Sequence, residues 1–344
     1  MMNEIINKFL KINNENKIRA LPYLNNKDKW SNVFNNIEYK SIFYLESYIN
    51  YQSQYYEESN FLFKNCSIIF TYDNIPISIW PICIISKKNE YKNKICSFDR
   101  NIIKPAFSKN INNKIKKNIF NTALETINTL TKDKKKFDKP VFFDNFEFKD
   151  GVSIWHQSLI KHNYKLDNFY TLYLKINDDI NIIKKNFRKS YKSLLTLKDD
   201  EYNISLLNNN HKEIWNEFQI LHKKVAGKIT RSKKTWNIQL DNLLDNKSFF
   251  VYVSNKRNQL IGGSYFDISE TECYYSTSAI SKEKKYTNIG HVLQFYAIKE
   301  MIKRKIKYYR IGPMFFDELD LKNFNISKFK SGFASDIVNE YHFR

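Results

Sequence analysis

Apolar side chains recur along this chain with two different periods, and the alternation between those periods outlines its elements. From Phe43 to Tyr56 the positions Leu45, Tyr48, Ile49, Tyr55 and Tyr56, with Gln52 as a polar break, fall on one stripe and predict an amphipathic helix. Ser67 to Tyr72 and Ile75 to Ile85 are β-rich runs joined by Asp73-Asn74, residue types that tolerate the positive φ of a two-residue turn, so a hairpin is expected there. A short strand follows near Ile95 to Phe98. Ile111, Ile115, Ile119, Ala123, Leu124, Ile127 and Leu130 then mark a long helix, ending in the charged run Lys132 to Lys136. Pro140 to Phe143 reads as a buried strand, Gly151 to Lys161 as a helix, Tyr170 to Ile176 as a strand, and Asp179 to Leu197 as one helix whose Arg188, Lys189, Tyr191 and Lys192 form a solvated basic face or, alternatively, a polyanion contact. Residues before about Trp30 are polar and Asn-rich, and loose packing is expected of them.

The second half repeats this order. Ile214 to Val225 reads as a helix, with Gly227 where a left-handed C-cap belongs and Ser232 placed to cap a further helix. A hairpin (Phe249 to Ser254, Leu260 to Ile268), a third strand (Glu272 to Ala279), a long helix from Gly290 and a strand (Tyr308 to Ile311) complete it. No residue-by-residue identity links the halves. The shared order still predicts two similar α/β (α+β) domains, 1–168 and 169–344, each a mixed β-sheet flanked by helices.

Composition narrows the class. At 344 residues with 42% hydrophobic and 16% aromatic side chains, the chain is long enough for two cores and too apolar for disorder. The formal net charge of +20 permits a polyanionic partner. It does not demonstrate one, because the lysines are spread along the chain alongside abundant Asn and Ile, the pattern of a skewed codon composition. Cys66, Cys83, Cys96 and Cys273 are widely spaced, with neither a C-x-x-C pair nor a histidine at ligand spacing, so no disulfide scaffold and no metal site is expected. The N-terminus lacks a signal-peptide pattern, and the most apolar run, Ile75 to Ile85, is broken by Pro76 and Pro81, so a soluble cytoplasmic protein is expected.

The densest chemistry lies from His222 to Trp236. Lys228, Thr230 and Arg231 sit between two helix ends, where unpaired N-H groups and partial positive charge suit a phosphate or carboxylate, although spacing alone favours an ordinary solvated helix-loop-helix corner. His222 suits a proton acceptor, or equally a helix-end contact to a carbonyl. Tyr275 and Ser276 are neighbours on a strand and are expected to face opposite ways. His291 and Gln294, just inside the helix after Gly290, suit either polar substrate contacts or structural roles. No Ser-His-Asp, P-loop or Gly-rich dinucleotide pattern is present.

Several stretches, in order, resemble the FemAB-like branch of the acyltransferases with the GNAT fold: Phe187-Arg188-Lys189-Ser190-Tyr191-Lys192-Ser193, Leu221 to Arg231, Ile261-Gly262-Gly263, Gly290 to Ile298, and Phe329-Lys330-Ser331-Gly332-Phe333, with a weaker match from Tyr51-Gln52 to Trp80-Pro81. The resemblance implies two tandem GNAT-like domains with the acceptor held between them, and transfer of an acyl or aminoacyl group to an amine of a surface-polysaccharide or peptidoglycan precursor. It maps the family's lysine of the Phe-Lys-x-x-Phe motif onto Lys330 as a catalytic residue; side-chain chemistry adds His222 as a second catalytic candidate and places Lys228, Arg231, Tyr275, Gly290, His291 and Gln294 around the substrate. No bound cofactor is implied. The donor is aminoacyl-tRNA or acyl-CoA, the acceptor a phosphate-linked sugar or peptide, and peripheral contact with the inner membrane surface would follow from a lipid-linked acceptor.

Three departures bear on this. Thr287 to Val292 keeps only the glycine of the acetyl-CoA loop [RQ]-x-x-G-x-[GA], the helical arm of some tRNA-using members is absent, and Ala334 stands where glycine is common. A non-catalytic nucleic-acid-binding protein is the alternative that the charge and the aromatics allow.

Overall fold

The computed structural model describes residues 17–87, 92–145, 152–197, 202–208, 212–283, 288–317 and 320–344. Its contacts divide the chain into two units, Met1–Phe169 with Asn339–Arg344, and Tyr170–Val338.

In the first unit, β1 (Ile18–Pro22) is followed by α1 (Lys27–Asn35), α2 (Glu46–Glu57), β2 (Phe61–Asn65), β3 (Ile68–Tyr72), β4 (Ile75–Trp80), β5 (Cys83–Lys87), β6 (Lys94–Cys96), β7 (Ala106–Phe107), α3 (Asn113–Leu130), β8 (Phe142–Asn145) and α4 (Ile154–Lys161). The hairpin forms as expected: Asp73 and Asn74 take φ of 48° and 67°, and β3 pairs antiparallel with β4 in a sheet ordered β1-β3-β4-β7.

Two expectations are corrected here. The run Ile75 to Ile85 is not one strand: it stops at Trp80, and after Pro81 the chain enters a second sheet, β2-β5-β6, because proline cannot donate to a ladder. The segment before Trp30 is not loose from residue 17 onward, since Ile18 and Ala20 are buried and β1 pairs with β3; its earlier part lies outside the described residues. α3, capped by Asn112 accepting from the Ile115 N-H, lays Ile119, Phe120, Ala123, Leu124 and Ile127 onto a core with Phe70, Trp80 and Trp155. Gly151 falls outside the described residues; α4 starts after Ser153, whose side chain caps the His156 N-H. Cys83 and Cys96 sit opposite each other on β5 and β6, with free thiols 3.5 Å apart.

The second unit contains most of β9 (Leu166–Lys175), then α5 (Ile180–Asn186), a 3-10 helix (Lys189–Leu194), β10 (Tyr202–Leu206), α6 (Lys212–Ala226), α7 (Lys233–Leu244), β11 (Ser248–Asn255), β12 (Leu260–Ile268), β13 (Glu272–Ile280), α8 (Ile289–Lys303), β14 (Tyr308–Met314), α9 (Leu321–Ser331) and the start of β15 (Asp336–Phe343). Its strands run β10-β11-β12-β13-β14-β9. All pairs are antiparallel except β13 with β14. Helices cover both faces, so alternate residues of β11 serve different cores: Phe249, Val251 and Val253 join Leu293, Ala297 and Met301 of α8, while Phe250 and Tyr252 join Trp215, Phe218 and Trp236 of α6 and α7. β15 ends in the first unit, where Glu340–Phe343 pair with β8, so the tail that the sequence division left in the second half groups with the first.

The expected continuous helix over Asp179 to Leu197 is broken at Phe187, which is extended, and at Arg188, which also leaves the helical region with ψ 133°. Tertiary contacts outweigh helical ones there. The Arg188 N-H donates to Gly332 O at 2.8 Å, and the Phe187 ring packs against Phe295 and Phe333.

Candidate active site

β13 and β14 pair in parallel only from Glu272–Tyr274 to Tyr308–Arg310. Beyond that short ladder the strands part, and a groove of about 500 Å³ opens, lined by Tyr275, Ser276, Thr277, Ser278 and Ile280 of β13 and by Asn325, Ile326, Phe329 and Lys330 of α9. Two irregularities shape it. On β13 the register steps from Thr277 opposite Tyr265 to Tyr275 opposite Phe266, so Ser276 is the extra residue of a bulge. Tyr275 and Ser276 therefore both line the groove, contrary to simple alternation. On β14 the register shifts between Arg310 and Gly312, and Gly312 adopts φ +136°, a conformation side chains other than glycine rarely take.

Lys330 reaches this opening. Its Nζ lies 5.0 Å from the centroid of the Tyr275 ring, within cation–π range, and 2.7 Å from where a Cβ on Gly312 would project. The missing side chain at 312 is the space that the ammonium occupies. Tyr275 in turn stacks on Phe266 at 5.4 Å. Its hydroxyl is buried beside Ser264, Ser278 and Gln294, and burial pushes its pKa above the usual tyrosine value.

α9 is held at its C-terminal end. Arg188 donates through Nη2 to Lys328 O at 3.0 Å and Ser331 Oγ at 3.1 Å, a cation at the negative end of a helix. Arg188, Lys189 and Lys192 all remain exposed, so the solvated basic face expected there is borne out even as Arg188 holds α9. Tyr191 packs over Gly332, where a Cβ would lie 2.1 Å from its ring, and its hydroxyl donates to Phe329 O at 3.2 Å.

The stretch from His222 to Trp236 builds a second groove, of about 270 Å³, lined by Ile220, His222, Ile229, Thr230, Arg231 and Trp236 among others. The local prediction holds: Gly227 has φ +72° and donates to Lys223 O at 2.9 Å, and the Ser232 side chain accepts from the Thr235 N-H. Arg231 lies 4.4 Å over the Trp236 ring and donates through Nη1 to Gln239 Oε1 at 2.9 Å and Thr277 Oγ1 at 3.3 Å. Thr277 also lines the Lys330 groove, so Arg231 joins the two. His222 lies with Nδ1 3.4 Å from Thr230 Oγ1 and its ring edge-on to Trp236. Burial, and then the charge of Arg231, lowers its pKa to about 4, which leaves it neutral at pH 7 and a weak proton acceptor. Lys228 is exposed and lines neither groove.

The remaining candidates pack beneath the Lys330 groove. Gly290 lets the start of α8 approach Phe329 and Ile280, each 3.3 Å from where its Cβ would be. His291 is wedged edge-on against Tyr191 and Phe329 at 4.4 and 5.1 Å, with its pKa lowered by burial and then by Arg188. Gln294 is buried, its Oε1 accepting from the Tyr309 hydroxyl at 2.5 Å. Thr287, at the head of the degenerate donor loop, lies outside the described residues. Among the described residues no group of three or more His, Cys, Asp or Glu side chains could hold a metal ion, and no helix is long and apolar enough to cross a membrane.

No family model matches the sequence, and no curated protein matches it. Among solved structures, that of FemX superposes with a TM-score of 0.67 at 12% identity, covering 92% of this chain and 95% of that one. The chain has a FemAB-like, GNAT-related fold. A conserved protein of unknown function from Bacteroides thetaiotaomicron is similar at TM-score 0.56 and 8% identity, over 93% of this chain and 96% of that one. L-PGS from Bacillus licheniformis is similar at TM-score 0.50 and 10% identity, over 76% and 80%.

Within this FemAB-like fold, sequence reasoning missed Gly312, Thr277 and Asn325. Gly312 follows a strand pattern and carries no motif. Its role appears only once Lys330, far along the chain, is packed against it. Thr277 was within reach, since a hydroxyl at the centre of a strand next to Tyr275 and Ser276 is an available polar signal.

Proposed function

We propose that this chain is an N-acyltransferase joining an acyl or aminoacyl group to an amine of a cell-envelope precursor, a surface-polysaccharide or peptidoglycan unit. The observation that carries the reading is the Lys330 ammonium set over the Tyr275 ring and the bare backbone of Gly312, in the opening between two parting parallel strands. The likeness to FemX and L-PGS supports the choice of reaction and of acceptor class.

The chemistry needs little covalent help. The neutral amine of the acceptor attacks the donor carbonyl carbon, a C–N bond forms, and the carbonyl oxygen becomes an oxyanion. Collapse breaks the C–O bond of an aminoacyl ester or the C–S bond of a thioester, and the amine proton leaves with the alcohol or thiol. Lys330 supplies N-H donors to the oxyanion or to the leaving atom, and the groove holds the reactants together. Phe329, Ile280 and Tyr275 give the groove apolar walls beside it. Arg231 and Thr277 shape the acceptor side, and His222 holds the Thr230 turn. The donor is aminoacyl-tRNA or acyl-CoA, both cytoplasmic, and a lipid-linked acceptor would bring the protein to the inner membrane surface.

The test is to incubate the protein with each donor, isotopically labelled, and with amino-sugar and peptide amines carrying phosphate-linked carriers, and to seek the amide by mass spectrometry. An amide formed by wild type and lost in Lys330→Ala is expected. No amide with any pair, together with tight, steeply salt-dependent RNA binding, would establish the nucleic-acid-binding alternative instead.

A further inference from the structure

β10 ends the strand order of its sheet. End strands are commonly protected from stray pairing by a charged side chain, a proline or extreme shortness. Among the other end strands β1 carries Arg19 and Pro22, β2 carries Lys64, β6 carries Lys94, β8 carries Asp144, and β7 has two residues. β10, Tyr-Asn-Ile-Ser-Leu, has none of these devices, and its register with β11 is unbroken from Tyr202 to Leu206. Its hydrogen bonding fixes which groups face outward. The Leu207 N-H donates to Phe250 O at 3.0 Å, and opposed residues of an antiparallel pair exchange bonds at every second position. Asn203 and Ser205 therefore bond to β11, while the N-H and C=O of Ile204 and Leu206 point away from it. A groove of about 730 Å³ runs beside this edge, lined by Tyr202 to Ser205.

The two walls of the groove differ. Tyr202, Ile204 and Leu206 pack towards the core under α8, and on that side Phe295 and Tyr296 line the groove. Ser205 lies opposite Tyr252, which packs against α6, and on that side the wall carries Glu213 and Glu217, one helical turn apart. Two neighbouring carboxylates stand out on a chain with a formal net charge of +20.

We infer that β10 accepts an extended segment of a partner protein as an added antiparallel strand, in which apolar side chains facing α8 alternate with basic side chains facing α6. Side chains directly across a ladder share a face, so residues opposite Ile204 lie beside Phe295 and Tyr296, and their neighbours lie beside Glu213 and Glu217. Main-chain bonds to Ile204 and Leu206 supply affinity, and the two walls select the alternation. A second copy of this chain fits less well. Two β10 strands paired about a two-fold axis would place both pairs of carboxylates on one face of the joined sheet, where like charges repel. The edge shares no lining residue with the groove beside Lys330, and the inference does not rest on the transferase reading.

The test is titration of the full chain with a capped hexapeptide of alternating Lys and Val, read by calorimetry and by residue-resolved amide hydrogen exchange. Binding should slow exchange at the Ile204 and Leu206 amides and leave Asn203 and Ser205, already in the ladder, unchanged. In an antiparallel pair the Val residues opposite Ile204 and Leu206 make the bonds, so N-methylation of the Val amides should weaken binding by about tenfold or more, and N-methylation of the Lys amides by less than about twofold. An alternating Glu and Val peptide should bind at least about tenfold more weakly, and Glu213→Gln should weaken the Lys and Val peptide by about threefold. Four results would each overturn the inference: no binding, binding without protection at Ile204 and Leu206, indifference to which amides are methylated, or self-association that protects Ile204 in the absence of peptide. The last would assign the edge to a second copy.

Discussion

Beside Trp236, the Arg231 guanidinium lies over an indole and directs Nη1 to Gln239 and Thr277; beside Tyr275, the Lys330 ammonium lies over a phenol and above a glycine that leaves it room. Both grooves place a cation on an aromatic face. They differ in how the cation is held. Arg231 directs a fork of fixed N-H groups at Gln239 and Thr277, whereas the Lys330 ammonium packs over Tyr275 and Gly312 and carries donors that rotate with its terminal bond. A group that must follow a carbonyl oxygen as it becomes an oxyanion is better served by the second arrangement. On the proposed reading, the richer cluster of chemical side chains in the sequence would serve as scaffold, and the space left at Gly312 would mark the reacting cation.

The largest break in this comparison should come from filling that space. Gly312→Ala puts a Cβ 2.7 Å from Lys330 Nζ on a backbone that disfavours any side chain, so turnover should fall by about 100-fold, the scale of losing one oxyanion donor. Because a structural defect alone would also lower turnover, acceptor binding should be measured beside it; unchanged KM with a lowered kcat is the expected split.

Arg231→Ala should act the other way. It removes a charged donor from Gln239 and Thr277 and a cation from Trp236, so stability should fall by about 2 kcal/mol by urea unfolding, with turnover per folded molecule within about threefold of wild type. Unaltered stability would mean that Arg231 belongs to the substrate.

A smaller effect is expected from pH. His222 has a folded pKa lowered to about 4 from 6.5, so between those values the unfolded chain binds the proton and the folded chain does not. The resulting stability is full above pH 6.5 and is lost as pH falls towards 4. His156 and His291 are lowered too, in both cases mainly by burial, and have the same sign. His222→Gln should flatten the slope of unfolding free energy against pH in that window by at most one proton, and an unchanged slope would contradict the buried neutral state. The smallest effect should come from Lys228→Ala, which lines neither groove and should alter turnover by less than twofold.

What was legible in the sequence divides along physical lines. Gly227 and Ser232 could be placed because a left-handed C-cap and an N-cap are local, within a turn of their partners. The Asp73-Asn74 turn was legible for the same reason. The break in the helix over Asp179 to Leu197 was not, because the Arg188 N-H finds its acceptor on Gly332, far along the chain. Nor was the bulge at Ser276, which depends on how β12 and β13 register. The motif resemblance located Lys330, yet its aromatic floor and its glycine lie on two other strands and meet it only in the folded unit.

The most direct test of the central claim is the single-turnover rate of amide formation in Lys330→Ala beside Arg231→Ala, each corrected for its folded fraction. A fall of about 100-fold or more in the first, with the second close to wild type, is predicted. A Lys330→Ala enzyme that keeps its rate while Arg231→Ala loses it would move the chemistry to the groove beside Trp236 and contradict the account.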